Sequence, residues 1–202
     1  MAEVEWLACQ DARKKLEWLR GIASPRKLRL FACAYWRWHT VTAGDSDPDM
    51  MRALADAENW AEEGSLPSHS SRSQLPLWCK WHPLFARKAT DAANWTIRKT
   101  EGHRAESGEL AAEKHLLLLR DLFGPLPFRE VSIDPAWLDW NERCVKQLAT
   151  AIYDERAFER MAVLADALEE AGCTDQEILS HCRSPSDHVR GCWLIDLILG
   201  KE

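Results

Sequence analysis

Nothing in this sequence is long and apolar enough to cross a bilayer: its densest hydrophobic stretches, Leu116 to Leu119 and Trp193 to Leu199, fall far short of the ~20 residues a spanning helix needs. The opening Met1-Ala2-Glu3-Val4-Glu5-Trp6 carries acids where a secretory leader is basic, and no apolar core follows it. The expectation is a protein that is not exported. The seven cysteines are odd in number and none lies two to four residues from another, which excludes a small disulfide scaffold and predicts reduced thiols in a cytoplasm. No phosphate-cradling glycine loop, dinucleotide fingerprint, paired helical metal-binding histidine motif or glycine-bounded nucleophile turn occurs. Nucleotide and hydride chemistry are therefore not expected, and the sequence leans away from an enzyme. Tyrosine and phenylalanine are scarce, at two and five residues.

Tryptophan is not scarce. Eleven indoles in 202 residues argue for large buried aromatic surfaces that supply much of the packing energy. With 46% hydrophobic and 29% charged residues the chain has the balance of a folded protein. Net charge is -6, yet Arg13 to Arg29 holds seven basic residues against the single acid Glu17. The molecule is electrically lopsided.

Helix signals run from end to end. Ser24-Pro25, Asp47-Pro48 and Asp134-Pro135 each pair a capping side chain with a proline at the first helical position, where its missing N–H costs nothing. They open helices at Pro25 to about Val41 and Pro48 to about Gly64, and a short turn carrying Trp137 and Trp140 that leads into a longer helix from about Asn141. Further helices are expected after Pro83 to about Thr100, from about Ala105 to Phe123, and through Phe158 to Leu168, with Gly172 as a left-handed stop. Thr174 to Glu177 matches a capping box, and a last helix is expected over Val189 to Leu199. Residues 125–133 are expected to be an extended connector or at most one edge strand. No alternation of strands and helices appears. The fold class is all-α, a compact helical bundle or stacked helical hairpins forming one domain over 1–202, with a possible division into 1–63, a loop at 64–82, and 83–202.

The C-terminal third, from Asp134-Pro135-Ala136-Trp137 through Ala165-Asp166-Ala167-Leu168-Glu169-Glu170-Ala171-Gly172-Cys173 to the His181-Cys182-Arg183 and His188-Val189-Arg190-Gly191-Cys192-Trp193 stretches, resembles an uncharacterised bacterial family of small hypothetical proteins. The opening from Glu5 to Ala34 is similar to the start of the same family. The resemblance implies no established activity. Some of its members are labelled as, or found beside, the SUKH superfamily of immunity and interaction proteins, whose α/β fold has no counterpart in this helical pattern. Where relatives carry further cysteines, this chain has Tyr35-Trp36-Arg37-Trp38.

Several groups of residues carry candidate chemistry. Cys173, Cys182, His188 and Cys192 offer soft thiolates and an imidazole for a tetrahedral zinc ion, although their gaps of eight, five and three residues are wider than structural zinc sites usually show. His181 or His188 is a candidate base for a cysteine nucleophile, with Cys192 close behind His188. Asp154, Glu155, Asp166, Glu169 and Glu170 read as a solvated helix face rather than acid-base partners. Arg13, Lys14, Lys15, Arg26, Lys27 and Arg29, near Trp18, Trp36 and Trp38, are candidate nucleic-acid contacts, with pairing to the protein's own glutamates as the alternative. Trp78 and Trp81, together with His188, Arg190 and Trp193, are candidate anchors for a protein partner. The function expected from these residues is a non-enzymatic interaction or regulatory module acting through a partner protein. The alternatives are a metal- or thiol-dependent enzyme using the C-terminal Cys/His group, and a nucleic-acid-associated subunit using the basic segment.

Overall fold

A computed structural model describes residues 1–44, 47–64, 88–100, 105–185 and 187–201, with the side chains of 99–100 and 105–107 left aside. Trp78 and Trp81 lie outside these residues, as does the expected loop at 64–82 apart from Gly64. All regular secondary structure among the described residues is helical, and none of them lies in a strand. None of their helices is long and apolar enough to cross a membrane.

The chain divides into two compact units, Met1–Leu119 and Arg120–Glu202. Pro48–Glu63 and Ala89–Thr100 both pack on Pro25–Thr42 within the first unit.

The first unit holds α1 (Glu3–Ala8), α2 (Ala12–Leu19), α3 (Pro25–Thr42), α4 (Pro48–Glu63), α5 (Ala89–Thr100) and most of α6 (Ala105–Phe123). Its centre is α3, started by Ser24, whose hydroxyl accepts the Lys27 N–H at 3.3 Å ahead of Pro25. Every residue from Leu30 to Trp36 is buried, since α4 and α5 both pack on this helix. Two buried or half-buried bridges reinforce the α3–α4 contact: Arg26 grips Glu62 through two bonds at 3.0 and 3.1 Å, and Arg37 grips Glu58 at 2.9 and 3.1 Å. Trp36 meets Trp95 of α5 at 5.6 Å, and Tyr35 stacks on His115 of α6 at 4.3 Å.

That stacked pair makes the first unit acid-sensitive. Burial pushes the Tyr35 hydroxyl up to about 12 and His115 down to about 4 from its ordinary 6.5. Between these two histidine values the unfolded chain binds a proton that the folded chain refuses. The His115 contribution is therefore complete above pH 6.5 and lost as pH falls toward 4, a swing of about 3 kcal/mol. His115→Phe should flatten the difference between urea midpoints at pH 7 and pH 4.5; an unchanged difference refutes the assignment.

The second unit holds the last turn of α6, then α7 (Pro135–Glu155), a single 3-10 turn (Phe158–Arg160), α8 (Met161–Glu170), α9 (Gln176–Cys182) and α10 (Trp193–Leu199). Helix α8 packs on α7 and α9, and α10 on α7, around Val145, Ile152, Leu164, Leu168, Ile178 and Ile195. Asp134 caps α7 by accepting the Ala136 N–H at 2.8 Å, as the sequence led one to expect. The break near Asn141 is also present: Trp140 to Arg143 leave helical geometry, with φ of +46°, +56° and +67° at Asn141, Glu142 and Arg143. Helix α8 ends in a Schellman turn in which Cys173 N–H reaches Leu168 C=O and Gly172, at φ +98°, takes the left-handed position.

Residues 125–133 form the connector the sequence led one to expect, with no strand: Leu126 and Phe128 N–H turn back onto Phe123 and Pro125 carbonyls, and 130–133 follow without regular structure. Two expectations are corrected. The cap of α9 is Asp175, not Thr174; its carboxylate, a stronger acceptor than a hydroxyl, takes the Glu177 and Ile178 N–H groups. The last helix begins at Trp193 rather than Val189, since Gly191 is left-handed at φ +92° and Cys192 is extended. That shortening leaves 183–185 and 187–192, between α9 and α10, as irregular chain.

Candidate metal centre

Asp121 ends α6 inside a run of leucines, between the buried Leu118, Leu119, Leu122 and Phe123, so helical register turns its carboxylate into the core. His181 sits in the last turn of α9, His188 in the irregular segment, and Cys192 at the start of α10. One ligand atom from each of these four residues lies within 4.8 Å of the other three. Asp121, His188 and Cys192 are buried, at 3%, 7% and 0% exposure, and His181 is half-buried.

The bonds among them are directional. Asp121 Oδ1 stands 2.6 Å from His188 Nδ1, and its Oδ2 accepts the Val189 N–H at 3.0 Å. An ionised carboxylate only accepts, so His188 carries its proton on Nδ1. His181 Nε2 lies 3.1 Å from Cys192 Sγ and 3.5 Å from Asp121 Oδ1. Its other nitrogen, Nδ1, accepts the indole N–H of Trp193 at 3.2 Å. That indole rests on the backbone of Gly124: a Cβ there would stand 2.5 Å from the ring. His188 Nε2 is buried with no hydrogen-bond partner.

Electrostatics follow from burial. His181 is pushed down to about 4, chiefly by desolvation, with Asp121 opposing the shift and His188 adding to it. Desolvation also pushes the Cys182 thiol up to about 12 and raises Cys173. Both cysteines are inert, buried thiols at neutral pH. Beside the centre, Phe158, Met161 and Ala162 face Cys182, Arg183 and His188 across a groove of about 310 Å³.

Of the four expected zinc ligands the structure brings His188 and Cys192 together. Cys173 and Cys182 are not in the cluster among the described residues; their places are taken by Asp121 and His181. Asp121 carried one sequence signal, an acid in core register within an apolar helix. His181 does meet Cys192, but with its proton on the nitrogen nearest sulfur it donates to the thiol instead of accepting from it. Trp193 is 1% exposed and His188 is equally enclosed, so of that expected partner-binding trio only Arg190 reaches the surface in part.

The basic candidates are largely engaged. Arg26 is held by Glu62, Lys27 is buried, and Lys15 is fully buried with its ammonium 4.5 Å over the Trp6 ring. Arg29 is half-buried; Arg13 and Lys14 are exposed, Lys14 standing 4.0 Å from Asp11. Of the six, Arg26 and Lys14 meet acids of the protein itself.

No family model, curated protein or solved structure matches this chain.

Proposed function

We propose that residues 120–202 form a metal-binding module in which Asp121, His188 and Cys192 ligate a divalent ion of the zinc class, with His181 beside the fourth coordination position. The observation that carries this reading is the convergence of two imidazoles, a carboxylate and a thiol within 4.8 Å, from elements up to 71 positions apart in number (121 to 192), in a buried site. Zinc bonds of ~2.0–2.3 Å place tetrahedral ligands roughly 3.3–3.8 Å apart, which the contacts of 2.6 to 4.0 Å bracket. Imidazole and thiolate donors select zinc over magnesium or calcium. Carboxylate and thiolate together balance the charge of a divalent ion, which a buried site requires.

The ion would fasten the irregular 187–192 segment to the end of α6. A ligand that binds only the folded state stabilises it by about 4 kcal/mol at a thousandfold excess over its Kd. Zinc added to chelator-treated, reduced protein should bind once per chain and raise the melting temperature. Cys192→Ala or His188→Ala should each weaken binding at least about 100-fold, since a lost ligand costs more than the 10–100-fold of a lost outer partner. Equal affinity in the native chain and both variants refutes the assignment.

A further inference from the structure

We infer that the metal of this centre keeps one coordination position for water, exchangeable for a small monodentate anion, because His181 meets the ion with a proton and not a lone pair. This rests on the metal-binding reading above and deepens it.

The inference starts from Trp193. An indole N–H only donates, so the His181 Nδ1 that accepts it at 3.2 Å bears no proton. The His181 proton is therefore on Nε2, the nitrogen facing Cys192 Sγ at 3.1 Å and Asp121 Oδ1 at 3.5 Å. Coordination through Nε2 requires that proton to move to Nδ1, where it would point at the indole N–H. Two donors would then stand head to head at hydrogen-bond distance. The indole is held against the Gly124 backbone and is 1% exposed, so it has no room to yield on that side.

His188 differs in this respect. Its Nδ1 proton faces Asp121 Oδ1 at 2.6 Å, with Cys192 Sγ 4.0 Å away; ligation through Nδ1 moves that proton to Nε2, where no donor opposes it, and the thiol proton is lost to solvent, so His188 stays neutral. Asp121, His188 and Cys192 thus supply three ligands of net charge −2, and a neutral water completes a tetrahedron with no net charge. Three protein ligands and a water is the arrangement of an open zinc site. His181 becomes a positioning residue whose Nε2–H hydrogen-bonds the thiolate or the atom in the fourth position.

The approach to that position is open where His181 is. Its side chain is 15% exposed, while those of Asp121 and His188 are at 2% and 3%. A groove of about 310 Å³ lined by His188 and Cys182 with Phe158 and Met161, and carrying Arg183 together with the acids Glu159 and Asp187, lies beside the centre.

The test uses the full reduced chain loaded with cobalt(II), whose visible bands report coordination, and sodium azide as the probe anion. Azide should shift the bands saturably, and His181→Gln, which keeps an N–H donor, should hold cobalt within about tenfold of the native chain. His188→Gln should lose cobalt at least about 100-fold. An azide-inert native spectrum overturns the inference without needing any variant. So does a His181→Gln variant, folded by circular dichroism, that loses cobalt as severely as His188→Gln. If the native chain binds no stoichiometric cobalt, the centre itself is refuted and the open position with it.

Discussion

Asp121→Ala should lower the stability of the metal-free second unit by about 3 kcal/mol and abolish the stoichiometric metal binding proposed for it. The carboxylate is the common acceptor for His188 Nδ1 at 2.6 Å and the Val189 N–H at 3.0 Å, both from the irregular segment between α9 and α10. Removing it leaves one buried and one part-buried donor without this acceptor, and the penalty for such groups is about 1–3 kcal/mol each. Asp121→Asn separates shape from charge. Asparagine fills the same space and can accept one of the two bonds, so its cost should be near half that of alanine. Its metal affinity should still collapse, because the centre then has one anion fewer against a divalent cation. Urea denaturation with an unchanged slope, paired with a zinc titration, reads both quantities. An alanine variant as stable as the native chain would show that the segment is anchored elsewhere.

Gly124→Ala should be nearly as damaging, from a position that touches no proposed ligand. A methyl group there would stand 2.5 to 2.7 Å from three atoms of the Trp193 ring, well inside contact distance. Either the indole moves, breaking its bond to His181, or the backbone after α6 moves and takes Asp121 with it. The left-handed φ of +48° adds about 1 kcal/mol for any residue with a Cβ. With the overpacking cost the total is about 2–4 kcal/mol. Gly172→Ala is the matched control: its φ is +98°, but a Cβ meets nothing within 4 Å, so it should show the backbone cost alone. Equal losses at the two glycines would contradict the packing of Trp193 on Gly124. Trp193 fluorescence should change in the first variant only.

The helices were legible because their signals are local. The three cap-and-proline starts at Ser24, Asp47 and Asp134 all open helices where the sequence places them, and the buried face of α3 follows from its unbroken apolar run. The errors arose where two local signals competed. Thr174 and Asp175 both suit a cap, and the carboxylate wins by acceptor strength. Val189 continues an apolar pattern, but Gly191 turns the chain first.

The cluster proposed to hold a metal was half legible: His188 and Cys192, near neighbours in sequence, do converge. The preference for Cys173 and Cys182 came from counting thiols along the chain, whereas packing decides which thiols converge; both became inert core groups whose burial raises their pKa. Asp121 is 60 positions before His181 (121 against 181), so no spacing rule connects them. Only its place in core register, between Leu118 and Leu122, marks it as an acid that needs a partner.

These alternatives differ in the number of sulfur atoms they place on the metal, and zinc K-edge X-ray absorption counts them. On the reduced, zinc-loaded native chain the account predicts one sulfur at about 2.3 Å with the remaining ligands nitrogen or oxygen at about 2.0–2.2 Å. A shell of three sulfurs would restore Cys173 and Cys182 as ligands beside Cys192, and a shell with none would remove Cys192; either result contradicts the centre built on Asp121, His188 and Cys192.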